Sequence, residues 1–211
     1  MKKALLISAG RQVSKELIEK YIDRFTVVAD GGARLLKKYN LKANLLLGDL
    51  DSIANEALSY VEKNGIDIKK FPTKKDFTDT ELALSYLVDE GYRDIIILGA
   101  LGTRLDHELA NLLNLKKLYK SGIKAKIEDD YNEVIYVEEG SYDFEKTNKK
   151  YFSLINASDK LSFSTKGLYY EVEDLVMDFN NPSRAVSNEM ISNKATIKIN
   201  YGSAFIIMSK D

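Results

Sequence analysis

Cysteine and tryptophan are absent from this 211-residue chain, and histidine occurs once. Without cysteine there is no disulfide, no iron–sulfur cluster and no thiolate zinc site, and nothing points to an oxidising compartment. One histidine cannot build a histidine-based metal centre. Charge of one sign is also lacking, with 31 Lys and Arg against 32 Asp and Glu. That balance argues against a broad nucleic-acid face, and no basic run is long enough for a polybasic membrane anchor. No apolar stretch reaches the roughly 18 residues that a membrane span needs. The N-terminal Met1-Lys2-Lys3-Ala4-Leu5-Leu6-Ile7-Ser8-Ala9-Gly10 has a basic tip. Its apolar run is shorter than a signal-peptide core and ends in a glycine turn, so it reads as a first strand. The expectation is a soluble cytoplasmic protein. Neither Gly-x-Gly-x-x-Gly nor a Walker loop occurs, and there is no internal repeat or low-complexity tract.

What is present is a 45% apolar composition, enough for a proper core. Residues 1–122 alternate strand and helix signals. Apolar or β-branched runs at 4–8, 26–29, 44–47, 66–71 and 94–98 predict strands. Helical spacing appears at 14–24, 33–39, 55–64, 78–90 and 105–120. The last of these takes Leu109, Leu112, Leu113 and Leu115 as its apolar face. Gly65 and Gly91 are placed to stop helices. A βαβα order implies a doubly wound, mainly parallel sheet with helices on both sides. After Gly122 helical periodicity disappears. Seven short strand-like segments follow, at 124–128, 133–137, 141–145, 151–155, 160–164, 195–199 and 204–208, predicting an antiparallel β-sandwich. The expected organisation is an α/β domain over 1–122 and a sandwich domain over 123–211, packed together without a flexible linker.

Four polar clusters each follow a predicted parallel strand, where such sheets bind ligands. The most informative is Leu47-Gly48-Asp49-Leu50-Asp51-Ser52. Asp49 and Asp51 are two apart in extended chain, so both carboxylates point to one side. Their repulsion is relieved by a cation, and hard oxygen ligands suit Mg²⁺ or Mn²⁺. In Ala29-Asp30-Gly31-Gly32-Ala33 a strand meets two glycines and then a helix, which lets backbone N–H groups approach a phosphate or ribose. In Lys74-Lys75-Asp76-Phe77-Thr78-Asp79-Thr80-Glu81, Asp76 or Thr78 is placed to cap a helix. Asp76 and Asp79 stand one helical turn apart, and Lys75 is within reach of a phosphate. Gly99-Ala100-Leu101-Gly102-Thr103-Arg104-Leu105-Asp106-His107 delivers Arg104, a fork for phosphate oxygens, and Asp106 to a helix start. His107 reads as a surface or supporting residue. Gathering so many carboxylates at one rim is costly without cations, so divalent metal bridging a polyphosphate is the chemistry expected there.

These motifs, in this order and at these spacings, resemble the thiamine pyrophosphokinase family. Gly167-Leu168-Tyr169-Tyr170 and Ser187-Asn188-Glu189 resemble its C-terminal signature. The resemblance covers nearly the whole chain. It implies an α/β nucleotide domain, a β-sandwich domain, and a homodimer with active sites at the subunit interface. The implied reaction moves the diphosphoryl group of ATP to the hydroxyethyl oxygen of thiamine and releases AMP, with Mg²⁺ or Mn²⁺ as cofactor. By resemblance, Asp49, Asp51, Asp76 and Asp79 hold the metal and diphosphate. Arg104 clamps phosphate and Asp106 is a polar partner for substrate. Asp30, Gly31 and Gly32 cradle the nucleotide, with Ser52, Lys75, Thr78 and Thr103 on the same side. Ser187, Asn188 and Tyr170 are the thiamine contacts. Without tryptophan, stacking on the thiamine ring must use Tyr or Phe; Tyr169 or Tyr170 is placed for it, although strand aromatics commonly belong to cores. Arg34 stands where many members have asparagine. Other chemistries of the Asp-x-Asp pattern are a metal-dependent glycosyltransferase, releasing a nucleoside diphosphate, and a non-catalytic nucleotide sensor.

Overall fold

The structure, a computed structural model, describes residues 1–51, 53–71, 77–102 and 104–211. The predicted site residues Ser52, Lys75, Asp76 and Thr103 lie outside them. The chain divides into two compact units, Met1–Asp130 and Tyr131–Asp211.

In the first unit the described strands are β1 (Lys2–Ile7), β2 (Phe25–Ala29), β3 (Leu45–Gly48), β4 (Asp67–Lys70), β5 (Tyr92–Leu98) and β6 (Lys124–Glu128). The helices are α1 (Lys15–Glu19), α2 (Ala33–Tyr39), α3 (Asn55–Lys63), α4 (Asp79–Asp89) and α5 (Leu105–Lys120), with a 3₁₀ turn at Asp30–Gly32. The strands run parallel in the order β6-β5-β1-β2-β3-β4. Residues 4–7, 45–48 and 95–98 are wholly buried, which explains why their sequences are apolar without alternation. Leu5, Ile7, Val28, Leu46, Ile96 and Leu98 pack with α1, α2 and α3 residues such as Ile18, Leu36 and Val61. Their neighbours Leu6, Val27, Leu47 and Ile97 point the opposite way, and α4 packs on β1, β2, β3 and β5 with Ala83, Leu84 and Leu87 buried.

Three expectations need correction. The segment 124–128, expected to open the sandwich, is β6 and pairs in parallel register with β5, Asp94 opposite Lys124. The first compact unit accordingly runs through Asp130. Helix α5 does not bury Leu109 and Leu113; both are exposed, and Asn111, Asn114, Leu115 and Leu118 face inward. The inward amide of Asn111 is satisfied by donating to the Ala100 carbonyl at 2.7 Å, so burying it is not penalised. The predicted helix over 14–24 is regular only over Lys15–Glu19 and continues as turns.

The second unit contains β7 (Asn132–Val137), β8 (Gly140–Glu145), β9 (Tyr151–Asn156), β10 (Lys160–Lys166), β11 (Leu175–Asp178), β12 (Asn188–Glu189), β13 (Lys194–Tyr201) and β14 (Ala204–Ser209). They pair antiparallel as β12-β9-β14-β7 and as β11-β10-β13-β8. Phe152, Leu154, Ile206 and Met208 from one set meet Leu161, Phe163, Ile197 and Ile199 from the other in a single core. This is the expected sandwich, with β11 and β12 additional to the predicted strands.

Candidate functional site

The strand order of the first unit reverses at β1. The chain moves outward through β2, β3 and β4, then returns to lay β5 on the other side of β1. The crevice at the carboxyl ends of β1 and β5 is therefore the switch point, where such sheets bind ligands. A cavity of about 260 Å³ lies there. It is lined by residues 8–10 after β1, Asp30 after β2, residues 78–80 at the start of α4, and residues 99–102 with Arg104 and His107 around the start of α5.

Glycine shapes this cavity by contact. A Cβ on Gly10 would lie 2.4 Å from the carbonyl oxygens of both Gly99 and Leu101, and one on Gly102 would lie 2.6 Å from the Arg11 nitrogen. The two loops touch backbone to backbone. Gly10 N–H donates to the Gly99 carbonyl at 2.7 Å and Arg11 N–H to the Leu101 carbonyl at 2.6 Å. Gly99 adopts φ +66°, a conformation that favours glycine.

Of the predicted site residues, the cavity gathers Asp30, Thr78, Asp79 and Arg104. Asp30 is buried, at φ +38°. Gly32 is buried against β1, where a Cβ would meet the Ile7 carbonyl oxygen at 2.7 Å, so its lack of a side chain serves packing. The Thr78 hydroxyl accepts from the Glu81 N–H at 3.2 Å and caps α4. Asp79 and Glu81 in the first turn suit the positive end of the helix dipole. Thr80 donates to the buried Ser8 hydroxyl at 3.0 Å, tying α4 to the end of β1.

Asp49 and Asp51 do not line the cavity. They follow β3, two strands from β1. Gly48 sits against Asp30, where a Cβ would come within 3.0 Å of the Asp30 Cβ. Asp51 N–H donates to Asp49 Oδ1 at 3.1 Å. Among the described residues no group of three or more His, Asp or Glu side chains could hold a metal ion.

Arg104 and Asp106 form a two-pronged pair, with Nε to Oδ1 at 3.2 Å and Nη2 to Oδ2 at 2.6 Å. That bonding holds the Asp106 carboxyl below its ordinary range and raises the guanidinium. Both side chains are exposed.

In the second unit Ser187, at φ +60°, donates its N–H to the Ser153 hydroxyl at 2.9 Å. Asn188 accepts from the Tyr170 N–H at 3.0 Å and donates to the Tyr170 carbonyl at 2.8 Å. The asparagine thus fixes the Tyr170 backbone. Tyr169 and Tyr170 are not core residues. They stand exposed, edge to face, with centroids 4.8 Å apart.

Sequence reasoning missed residues 8–10, Thr80, Glu108 and Asn111 as parts of the cavity. Glu108 accepts from Gly102 N–H at 2.8 Å and Asn111 holds Ala100, so α5 fixes the loop that precedes it. Thr80 stands inside the 74–81 motif but was given no role there, and no local motif marks residues 8–10, Glu108 or Asn111. The asparagines lie off the leucine face read as inward, so periodicity gave no signal for them. Among the described residues no helix is long and apolar enough to cross a membrane.

Residues 17–127 match the family description "Thiamin pyrophosphokinase, catalytic domain", and residues 139–204 match "Thiamin pyrophosphokinase, vitamin B1 binding domain". The thiamine pyrophosphokinase of Bacillus subtilis is 31% identical over 166 residues, 78% of this chain and 77% of that relative. The crystal structure from Bacillus subtilis superposes with a TM-score of 0.90 at 27% identity, covering 100% of both chains. The one from Geobacillus thermodenitrificans gives 0.87 at 26% identity, covering 100% of this chain and 98% of that one. A parallel sheet with its ligand crevice at the switch point, a sandwich behind it in the chain, and matches to both characteristic domains lead to one assignment: the chain belongs to the thiamine pyrophosphokinase family, a family of transferases that form thiamine diphosphate.

Proposed function

We propose that this enzyme transfers the diphosphoryl group of ATP to the hydroxyethyl oxygen of thiamine, giving thiamine diphosphate and AMP. The observation that carries the reading is the cavity at the switch point. The starts of α4 and α5 meet at it, and Arg104 is among its lining residues. Helix N-termini and a guanidinium favour a polyphosphate. Asp30 and residues 8–10 form the nucleotide side.

A divalent cation fits the donor set. Mg²⁺ takes one or two carboxylates together with substrate phosphates and keeps several waters, so a ready cage of three carboxylates is not required of the unliganded chain. Asp49, Asp51, Asp76 and Asp79 would hold it, and it would supply neutralisation of phosphate charge. In the transfer, the thiamine oxygen forms a bond to the β-phosphorus while the bond from that phosphorus to the α,β-bridging oxygen breaks, and AMP leaves with that oxygen. An alcohol is a weak nucleophile at pH 7, so orientation and charge stabilisation carry most of the rate. The hydroxyl proton passes late to an aspartate, one of Asp49, Asp51 or Asp106; the hydrogen bond from Arg104 holds the Asp106 carboxyl below its ordinary range, which weakens it as an acceptor. Ser187, Asn188 and Tyr170 contribute to the thiamine site, with the exposed Tyr170 ring as the stacking surface.

We also read the active form as a homodimer. Leu105, Leu109 and Leu113 are 68%, 53% and 61% exposed along one stripe of α5, beside Arg104 and His107. A second copy covering this stripe would remove it from water. Incubation with ATP, Mg²⁺ and thiamine, followed by product identification, tests the reaction. AMP with thiamine diphosphate supports it. ADP would indicate single phosphoryl transfer, and no turnover with retained ATP binding would indicate a sensor. Light scattering tests the dimer.

A further inference from the structure

We infer that Arg34 is a positioning residue for the nucleotide, clamping the wall of the cavity formed by Ala9 and Gly10. The inference rests on the ATP reading above. Arg34 lies in the first turn of α2, where a cation opposes the helix dipole, so helix stability does not account for it. Its guanidinium reaches back across the end of β1. It donates to the Ala9 carbonyl at 3.0 Å and to the Gly10 carbonyl, and its other arm reaches the Gly31 carbonyl at 3.5 Å.

The same short loop is held on its opposite side. The N–H groups of Gly10 and Arg11 donate to the carbonyls of Gly99 and Leu101. Ala9 and Gly10 line the cavity. The loop is therefore fixed from both flanks, by backbone of the β5–α5 connection on one side and by one guanidinium on the other. One terminal nitrogen of the guanidinium, Nη2, serves both the Ala9 and the Gly10 carbonyls while Nη1 faces Gly31, a planar spread that a lysine ammonium, a single point charge on a shorter reach, lacks. Arg34 also links the loop to Gly31, beside Asp30, joining two edges of the cavity. Removing it leaves the Ala9 and Gly10 carbonyls to water and the wall held from one flank only.

The test compares the full-length wild type, Arg34→Ala and Arg34→Lys. ATP binding with Mg²⁺, read by calorimetry, is expected to weaken about tenfold in Arg34→Ala, because small misplacements of a binding wall are expensive. The KM for thiamine stays at the wild-type value, and Arg34→Lys keeps most of the loss. In the ligand-free chains, the Gly10 and Arg11 amides exchange hydrogen faster in Arg34→Ala. Unchanged ATP affinity, an equal loss for thiamine, full recovery in Arg34→Lys or unchanged protection of both amides would overturn the clamp. A wild type that forms no thiamine diphosphate would remove the proposed reaction, while the exchange comparison would still decide the clamp.

Discussion

Glu128→Gln should destabilise the protein by about 3 kcal/mol at pH 7, and the loss should vanish in acid. Glu128 ends β6 with 2% of its side chain exposed. Its carboxylate accepts from Tyr21 Oη at 2.6 Å and pairs with Lys126 at 2.8 Å and Lys20 at 3.1 Å. Burial pushes the carboxyl up, but the hydrogen bonds from Lys126 and Tyr21 and the two ammonium charges outweigh it and bring it from 4.5 to about 2. Each pH unit of separation between folded and unfolded values is worth about 1.4 kcal/mol, which gives the figure of about 3 kcal/mol. The sign follows from proton uptake. The unfolded chain binds the proton first as pH falls, so this stabilisation is complete above about pH 4.5 and drains away down to about pH 2. Glutamine keeps the shape and an acceptor for Tyr21 but removes the charge between two lysines. Urea denaturation followed by circular dichroism, at pH 7 and pH 3, measures both chains. Their difference cancels the other carboxylates. A gap below about 1 kcal/mol at pH 7, or one that does not shrink at pH 3, would refute the assignment of this stability to a buried, paired carboxylate.

Gly10→Ala should lower kcat/KM by about a hundredfold, since a Cβ 2.4 Å from two carbonyl oxygens must part the loops that wall the cavity. Gly65→Ala is the control: its site is open at φ +64°, so the change should cost about 1 kcal/mol of stability and leave activity intact. Asp79→Asn should slow thiamine diphosphate formation by about a hundredfold or more with the urea midpoint preserved, because Thr78 supplies the helix cap; near-normal turnover at saturating Mg²⁺ would remove Asp79 from the machinery. Tyr170→Ala should raise the thiamine KM up to about tenfold by removing an exposed ring while the ATP KM stays put, and equal shifts in both constants would contradict a stacking role.

Much of the fold was legible because local signals agreed with tertiary demands. Unbroken apolar runs such as Ile95-Ile96-Ile97-Leu98 describe strands covered on both faces, and they are. Gly65 and Gly91 stop their helices at φ +64° and +83°, as their positions suggested. What was not legible depended on distant partners. The alternation in Lys124-Ala125-Lys126-Ile127-Glu128 announces a half-buried strand but cannot say whether its neighbour is parallel. Leu109 and Leu113, grouped by spacing with Leu112 and Leu115, look like core residues until Asn111 and Glu108 are seen to hold the preceding loop from another face of the helix.

The site was readable in pieces and unreadable as a whole for the same reason. Each motif announces itself at the end of a strand, yet chain order is not spatial order. Reading along the sequence places Asp49 and Asp51 at the centre, between the first motif and the third. The sheet instead inserts β1 between β2 and β5. This brings residues 99–102 against residues 8–10, 89 positions upstream from Gly99 to Gly10 by subtraction. The cavity consequently centres on a loop with no motif of its own, Asp30 and Asp79 flank it, and the Asp-x-Asp pair stands one strand beyond Asp30. On the proposed reading, a polyphosphate seated over the starts of α4 and α5 would have to extend past Asp30 to meet Asp49, so a bound metal would be expected towards the end of β3 and the Arg104 contact towards the end of β5.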